Sequence, residues 1–201
     1  MYRKYIKRLL DIIFSLILMP VVGISILIFG PLIYLEDRGT IFYRAKRRGY
    51  KGKVFEMLKF RSMKMNAPDI RNEDNSTFNS PDDPRVTKIG KIIRKTSIDE
   101  IPQLINILKG DMSFIGPRPD TADKQLKDLS KIQLQRLEVR PGLTGYSQAF
   151  FRNSIDVKTK LKYDAEYAKK VSLRMDLIIF LKTIDTVLRR KNIYKNNRIG
   201  E

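Results

Sequence analysis

Asp99 and Glu100 are adjacent carboxylates that the pattern places at the start of a helix. With Asp99 as the N-cap, Pro102 falls in the first turn, where a missing N–H costs no hydrogen bond. A carboxylate there faces free N–H groups and the positive end of the helix dipole, so it should stay ionised, as a nucleophile or metal ligand must be. Ser97 and Glu100 also match a capping box, so the pair alone is better explained by a helix start than by chemistry.

Cations near this pair favour phosphate chemistry over simple capping. Arg94 precedes Asp99 by five residues, and Arg118 stands between two prolines whose fixed φ angles hold its backbone rigid. Arginine forks bind phosphate oxygens in two directions. Lys59 and Arg61 add two cations at the end of a predicted hairpin. The sequence therefore predicts a phosphate site, with a metal, around the carboxylates.

Composition limits the chemistry available. The chain has 40 Lys and Arg against 22 Asp and Glu, a net charge of +18, and neither cysteine nor histidine. The excess positive charge predicts a partner with phosphate: nucleic acid, anionic lipid headgroups or a phosphorylated small substrate. The missing residues exclude disulfides, thiolate metal sites and a histidine base. Any metal should be a hard, oxygen-binding ion such as Mg²⁺.

A long apolar segment precedes these residues. Ile12 to Leu35 is 24 residues without a charged side chain, and Lys and Arg cluster on both flanks. Basic flanks favour the cytoplasmic side, so both ends should lie on one face of the membrane. Pro20 near the middle predicts a helix, break, helix arrangement that enters the bilayer and returns. A tilted span, a signal peptide and a buried core helix are the alternatives.

The rest of the chain is typical of one small domain. We predict a re-entrant membrane hairpin over residues 1–38 and a cytoplasmic catalytic domain over residues 39–201, an α+β and mainly helical fold with a β-hairpin and several amphipathic helices. The predicted elements are a hairpin over 40–61, a loop over 66–84, helices over 101–108, 121–138 and 174–190, and a turn over 140–145. The last helix has a broad apolar face that suits either core packing or an anionic lipid surface.

Four motifs, in this order along nearly the whole chain, resemble the bacterial sugar transferases, the monotopic phosphoglycosyl transferases, of the small PglC-like type without extra N-terminal spans. They are Lys59-Phe60-Arg61-Ser62-Met63, Thr96-Ser97-Ile98-Asp99-Glu100-Ile101-Pro102-Gln103-Leu104, Leu108-Lys109-Gly110-Asp111-Met112-Ser113-Phe114-Ile115-Gly116-Pro117-Arg118-Pro119 and Arg140-Pro141-Gly142-Leu143-Thr144-Gly145. One departure is Met19-Pro20, where the family usually has Ser before the proline of the membrane break.

The resemblance implies an activity and a location. It implies transfer of a sugar phosphate from a UDP-sugar to polyprenol phosphate, with Mg²⁺ and release of UMP, at the cytoplasmic face of the bacterial inner membrane. Asp99 would be the nucleophile and a metal ligand, with Glu100 as its catalytic partner. The implied substrate-binding residues are Lys59, Arg61, Arg94, Arg118, Arg140 and Arg152.

Two other classes of function compete with this enzyme. A membrane-tethered protein that binds nucleic acid or lipid without catalysis explains the positive charge, and so does a membrane scaffold. Neither accounts for the carboxylate pair or the proline-flanked arginine, and no nucleic-acid reading helix or basic stripe with interleaved aromatics stands out, so nucleic acid is not the predicted partner. The sugar, the pathway and the oligomeric state are left open by the sequence.

Overall fold

The computed structural model describes residues 1–70, 78, 80, 82–152 and 154–189. Within these ranges the α-helices are α1 (Lys7–Asp37), α2 (Lys88–Lys95), α3 (Gln103–Lys109), α4 (Lys131–Arg136), α5 (Tyr146–Phe150), α6 (Val157–Lys169) and α7 (Leu173–Leu188). The strands are β1 (Phe42–Arg48), β2 (Val54–Phe60), β3 (Ser113–Ile115), β4 (Asp120–Thr121) and β5 (Gly142–Thr144). The predicted mixed, largely helical fold is confirmed at this level.

The predicted β-hairpin is confirmed. β1 and β2 pair antiparallel across a short 3-10 turn at Tyr50–Gly52, with Lys59 opposite Tyr43 and Phe55 opposite Arg47. β4 pairs with the other edge of β1, which gives a three-stranded sheet in the order β2-β1-β4. Because strand side chains alternate between faces, these two register pairs share one face, together with the buried Ala45.

A second, two-stranded parallel sheet replaces most of the turn predicted over 140–145. β3 pairs with β5, and the backbones approach so closely that only glycine fits. A Cβ on Gly142 would lie 2.1 Å from the Gly116 nitrogen, and one on Gly145 would lie 2.1 Å from the Gly116 oxygen. The strands therefore fix the start of the Gly116-Pro117-Arg118-Pro119 segment against the chain after Arg140.

The N-terminal segment is one long helix. It is the one described helix apolar and long enough to cross a membrane, with a mean hydropathy of 2.8 in its most apolar window. The predicted break at Pro20 is not confirmed, because helical backbone continues through Pro20 and Pro31. A proline removes one helical hydrogen bond. Contacts of Leu18, Met19 and Val22 with the domain hold the two halves together across that defect.

The helix α1 lies on the domain at both of its ends. Near its start, Lys7 Nζ donates to Asp176 Oδ2 of α7 at 2.5 Å. At its end, Arg61 Nη2 donates to Asp37 Oδ1 at 2.5 Å, and Glu36 accepts two N–H bonds from the start of α2. The face turned to the domain contains Asp11, Ser15, Val22, Ser25, Gly30 and Ile33, whereas the exposed face is apolar: Leu9, Ile13, Phe14, Leu16, Ile17, Val21, Ile24, Leu27, Ile28, Leu32 and Leu35.

Of the next two predicted helices, one is confirmed and the other is wrong. The helix expected over 101–108 is α3, and it ends as predicted at Gly110, whose φ is 93°. The single helix predicted over 121–138 is wrong, because β4 occupies its start and Ser130 begins the short α4 with a capping box to Gln133. Of the loop predicted over 66–84, residues 71–77, 79 and 81 lie outside the described residues, and the others carry no helix or strand.

The predicted last helix is α7, and its packing confirms the core alternative for one of its faces. One face is core, with Ile179 fully buried. The other exposes large apolar side chains: Leu173, Leu177, Ile178, Phe180, Leu181, Ile184 and Val187. Because Lys7 and Tyr2 both bond to Asp176, the start of α7 is tied to the start of α1.

Candidate functional site

Asp99 and Glu100 lie in a 3-10 turn, Ile98–Glu100, between α2 and α3. Ser97 turns the chain there with a φ of 60°, a left-handed conformation that a non-glycine residue adopts at an energetic cost. The prediction that Asp99 caps a helix is wrong, as is the capping box, because no side-chain cap bond forms and Pro102 is the N-cap of α3. The carboxylates therefore stand on the connection between two helices.

Lys59 holds the second carboxylate. Its Nζ donates to Glu100 Oε1 at 2.5 Å, and both side chains are mostly buried. Lys59 reaches Glu100 because it lies on the face of β2 that turns toward α3. Burial by itself would raise the pKa of Glu100, but the positive charges of Lys59, Arg118 and Arg152 outweigh it and hold that pKa below its usual value. Glu100 is therefore ionised at neutral pH.

Asp99 has a different environment, although it is the next residue. Burial raises the pKa of Asp99 to about 6, and the nearby charge of Glu100 adds to this, whereas Lys59 and Arg94 oppose it. Because this pKa is still below 7, the carboxylate is mostly ionised at neutral pH. The cations beside it, and not the predicted helix N-terminus, oppose its protonation. It is a desolvated anion kept charged by two cations, which suits a group that attacks an electrophile rather than one that only caps a helix.

The backbone of Arg118 is fixed by a buried ion pair. Arg136 Nη2 donates to the Arg118 oxygen at 2.5 Å, and Arg136 Nη1 donates to Asp120 Oδ2 at 2.5 Å. Asp164 lies 3.6 Å from the same Nη2 and accepts hydrogen bonds from the N–H groups of Arg118 and Ser147. The N–H and C=O groups of Arg118 are therefore both hydrogen-bonded. Its side chain is exposed, and its charge lowers the pKa of Glu100.

The predicted site residues divide into two groups. In the first group, the positive charges lower the pKa of one or both members of the carboxylate pair; these residues are Lys59, Arg94, Arg118 and Arg152. Arg61 and Arg140 do not belong to this cluster. The guanidinium of Arg61 is occupied by Asp37 and by the Thr40 and Ile33 oxygens, and Arg140 donates to the Gly110 oxygen and stacks on Tyr50. These two arginines hold the fold because their partners come from segments distant in sequence.

Arg136 and Asp164 were missed at the sequence level. They are 4% and 2% exposed and bond to the backbone of Arg118. They therefore position that segment, although they do not contact the carboxylate pair themselves. Asp120 and Asp164 lie 16 and 28 positions from Arg136 in the chain, spacings that belong to no local motif. No sequence signal identifies the pair, because the burial of Arg136 is seen only in the structure.

The donor set limits how a metal could bind. In the described part of the chain no group of three or more Asp, Glu, His or Cys side chains could form a metal centre. Mg²⁺ often uses only one or two protein carboxylates and completes its shell with water and substrate phosphate. Asp99 suits that arrangement, since Lys59 donates to Glu100.

Comparisons with known proteins agree with these motifs. The profile of the family described as bacterial sugar transferase matches residues 2–190. A protein of Haemophilus influenzae named uncharacterized sugar transferase is 40% identical over 95% of this chain, and the undecaprenyl-phosphate galactose phosphotransferase of Salmonella typhimurium is 37% identical over 95% of it. The chain spans only 42% of each of these two relatives. The exopolysaccharide production protein ExoY of Sinorhizobium fredii is 36% identical, with 94% of this chain and 88% of ExoY covered.

Proposed function

Because this chain belongs to the bacterial sugar transferase family, we propose that it moves a sugar phosphate from a UDP-sugar to undecaprenyl phosphate and releases UMP. The names of two relatives, an undecaprenyl-phosphate galactose phosphotransferase and a UDP-N-acetylgalactosamine-undecaprenyl-phosphate N-acetylgalactosaminephosphotransferase, support the acceptor and the reaction class. The observation that carries the proposal is the carboxylate pair among four cations, Lys59, Arg94, Arg118 and Arg152.

In the proposed reaction, an Asp99 carboxylate oxygen attacks the β-phosphorus of the UDP-sugar. The bond from that phosphorus to the bridging oxygen breaks, and the oxygen leaves with UMP. A phosphate oxygen of undecaprenyl phosphate then attacks the aspartyl phosphosugar, and the Asp99 carboxylate is released. Each step exchanges one phosphorus–oxygen bond for another, so one carboxylate can serve a soluble donor and a lipid acceptor in turn.

The surrounding residues have separate roles in this mechanism. Lys59 keeps Glu100 ionised and in place. The charge of Arg94 opposes the raised pKa of Asp99, and the charges of Arg118 and Arg152 lower the pKa of Glu100, so positive charge surrounds the carboxylates where phosphoryl charge would develop. We propose that Asp99 also binds Mg²⁺, which would neutralise diphosphate charge when bound. Burial of Asp99 reduces competition by water for the attacking oxygen.

The test is UMP release by the purified protein, with UDP-sugars, Mg²⁺ and undecaprenyl phosphate in detergent micelles. Wild-type protein without acceptor should gain the mass of one phosphosugar, and Asp99→Asn should gain none and release no UMP. Asp128→Asn is the control, since it makes the same change at an exposed position in the 3-10 turn Leu126–Asp128. Turnover by folded Asp99→Asn would contradict the covalent route and favour direct attack by undecaprenyl phosphate.

We also propose that the protein is monotopic at the cytoplasmic face of the inner membrane. Both ends of α1 bond to the same domain, so a crossing would separate groups that are in contact. The outward faces of α1 and α7 are apolar, which suits helices lying in a lipid interface. This arrangement keeps the predicted return of the chain to one membrane face, without a break at Pro20.

Single cysteines test this placement directly, since the chain has none of its own. Lys4→Cys and Asp128→Cys occupy exposed positions at the start of the chain and in the domain. In intact cells both should resist a membrane-impermeant thiol reagent, and both should react after lysis. Labelling of one position alone in intact cells would establish a true span.

A further inference from the structure

Arg47 is half-buried, and unlike the buried Arg48 and Arg136 it has no hydrogen-bonding or ion-pairing partner among the described residues. Arg47, Arg48 and Arg136 each have a buried Nε without a hydrogen bond among the described residues. Arg48 donates through its Nη atoms to the oxygens of Gly52 and Lys124, and Arg136 bonds to Asp120. For Arg47, no hydrogen bond or ion pair of the guanidinium is found in the described ranges. A half-buried, unpaired guanidinium is costly, so this side chain requires another explanation.

The fold places Arg47 beside the phosphate-facing part of the site. It pairs in register with Thr121, and Arg118 lies three residues before Thr121 on the segment that enters β4. Strand alternation puts Arg47 on the same face of the sheet as Lys59, the residue that reaches Glu100. Arg44 lies on the opposite face of the same strand, where it forms an exposed ion pair with Glu56.

The electrostatics agree with this placement. Burial lowers the pKa of Arg47, and the neighbouring Arg118 lowers it further, while Tyr43, Asp123 and Asp120 oppose the shift. The guanidinium groups of Arg47 and Arg118 therefore repel each other. An anion between them would turn that repulsion into two charge-assisted contacts.

We propose that Arg47 and Arg118 form one anion subsite that binds the diphosphate of the nucleotide sugar. Lys59, which bonds to Glu100, pairs with Tyr43, and Arg47 lies four positions farther along β1, so Arg47 lies farther from the carboxylate pair and from the reacting phosphorus. Arg47 would therefore hold the phosphate that leaves with the nucleotide. This inference rests on the proposed function for the identity of the ligand, but the anion subsite itself can be tested separately.

The experiment compares wild type, Arg47→Gln and Arg44→Gln in binding of UMP, uridine and inorganic pyrophosphate by calorimetry, and in UMP release. Loss of a charge-assisted phosphate contact should weaken UMP and pyrophosphate binding by Arg47→Gln about tenfold or more. Uridine binding should be equal in all three proteins, because uridine has no phosphate. Arg44→Gln should match wild type throughout, and Arg47→Lys should recover part of the loss because it restores the charge.

Stability distinguishes a ligand-binding arginine from a structural one. Arg47→Gln removes a repelled cation, so its melting temperature without ligand should equal or exceed that of wild type. If Arg47→Gln clearly lowers the melting temperature, the subsite is overturned. If Arg47→Gln binds UMP and pyrophosphate as wild type does, the subsite is also overturned. In both cases UMP release by wild type would leave the proposed function standing. Pyrophosphate binding that is lost in Arg47→Gln, with no UMP release by wild type, would support the subsite and overturn the proposed function. Failure of wild type to bind either anion would overturn the subsite.

Discussion

Arg136→Met should strongly destabilise the protein, because it leaves a buried carboxylate without its cation. Arg136 and Asp164 have side chains only 4% and 3% exposed, and Asp164 lies 3.6 Å from the guanidinium. Breaking a buried pair by removing one partner costs about 3–5 kcal/mol, since the remaining charge is desolvated and uncompensated. For a chain of this size that loss lowers the melting temperature by roughly 6–20 °C.

The effect should depend on pH in a definite direction. Burial raises the pKa of Asp164 above its ordinary value, and Arg136 is the main opposing charge. Removal of Arg136 raises that pKa further. A carboxylate with a raised pKa in the folded state binds protons more tightly folded than unfolded, so stability is lost as the pH rises above about 4. The cost of Arg136→Met should therefore be larger at pH 8 than at pH 4.

Urea unfolding in detergent micelles, followed by far-ultraviolet circular dichroism because the chain lacks tryptophan, measures this cost. Arg44→Met is the matched control, since it removes an arginine from an ion pair whose side chains are 66% and 56% exposed. That change should cost no more than about 1 kcal/mol. The double variant Arg136→Met with Asp164→Asn should lose less than the sum of the single losses. Equal costs for both arginines, or a cost independent of pH, would refute a buried ion pair at this position.

Three further predictions concern the elements around the site. Arg61 holds the pKa of Asp37 below its usual value, so Asp37→Asn should cost about 1–2 kcal/mol at pH 7, and the difference from wild type should shrink in urea unfolding as the pH falls below about 4, the ordinary pKa of an aspartate. Gly142→Ala should destabilise the protein by about 1–3 kcal/mol and abolish UMP release, because the new Cβ would lie 2.1 Å from the Gly116 nitrogen. Leu181→Asp on the exposed face of α7 should reduce co-sedimentation with phosphatidylglycerol vesicles while UMP release in detergent is retained; unchanged sedimentation would contradict a lipid-facing α7.

The sequence by itself determined the elements whose signals are local. The β-hairpin, α3 with its end at Gly110, and α7 follow from residue patterns and turn residues within single segments. Apolar composition over 24 residues was enough to identify α1 as a candidate membrane helix. The four motifs were enough for the family, which the comparison with the family profile confirmed.

Tertiary structure decided which charged residues meet. Lys59 and Arg61 are two positions apart, yet Lys59 reaches Glu100 whereas Arg61 bonds to Asp37 at the end of α1. The pKa of Asp99 could not be predicted from the sequence either. The predicted helix cap does not form, and burial beside Glu100, Lys59 and Arg94 sets this pKa instead. Desolvation and charge pairing depend on distances between segments far apart in the chain.

Tertiary packing also decided which face of α1 turns toward the domain. The apolar pattern of α1 predicted a membrane segment, but only packing showed that its small and polar side chains turn toward the domain. The predicted single helix over 121–138 failed because β4 finds its partner in β1, more than 70 residues earlier. Local propensity is worth tenths of a kcal/mol per residue, whereas burial and strand pairing contribute more, so long-range contacts overrule it wherever the two disagree.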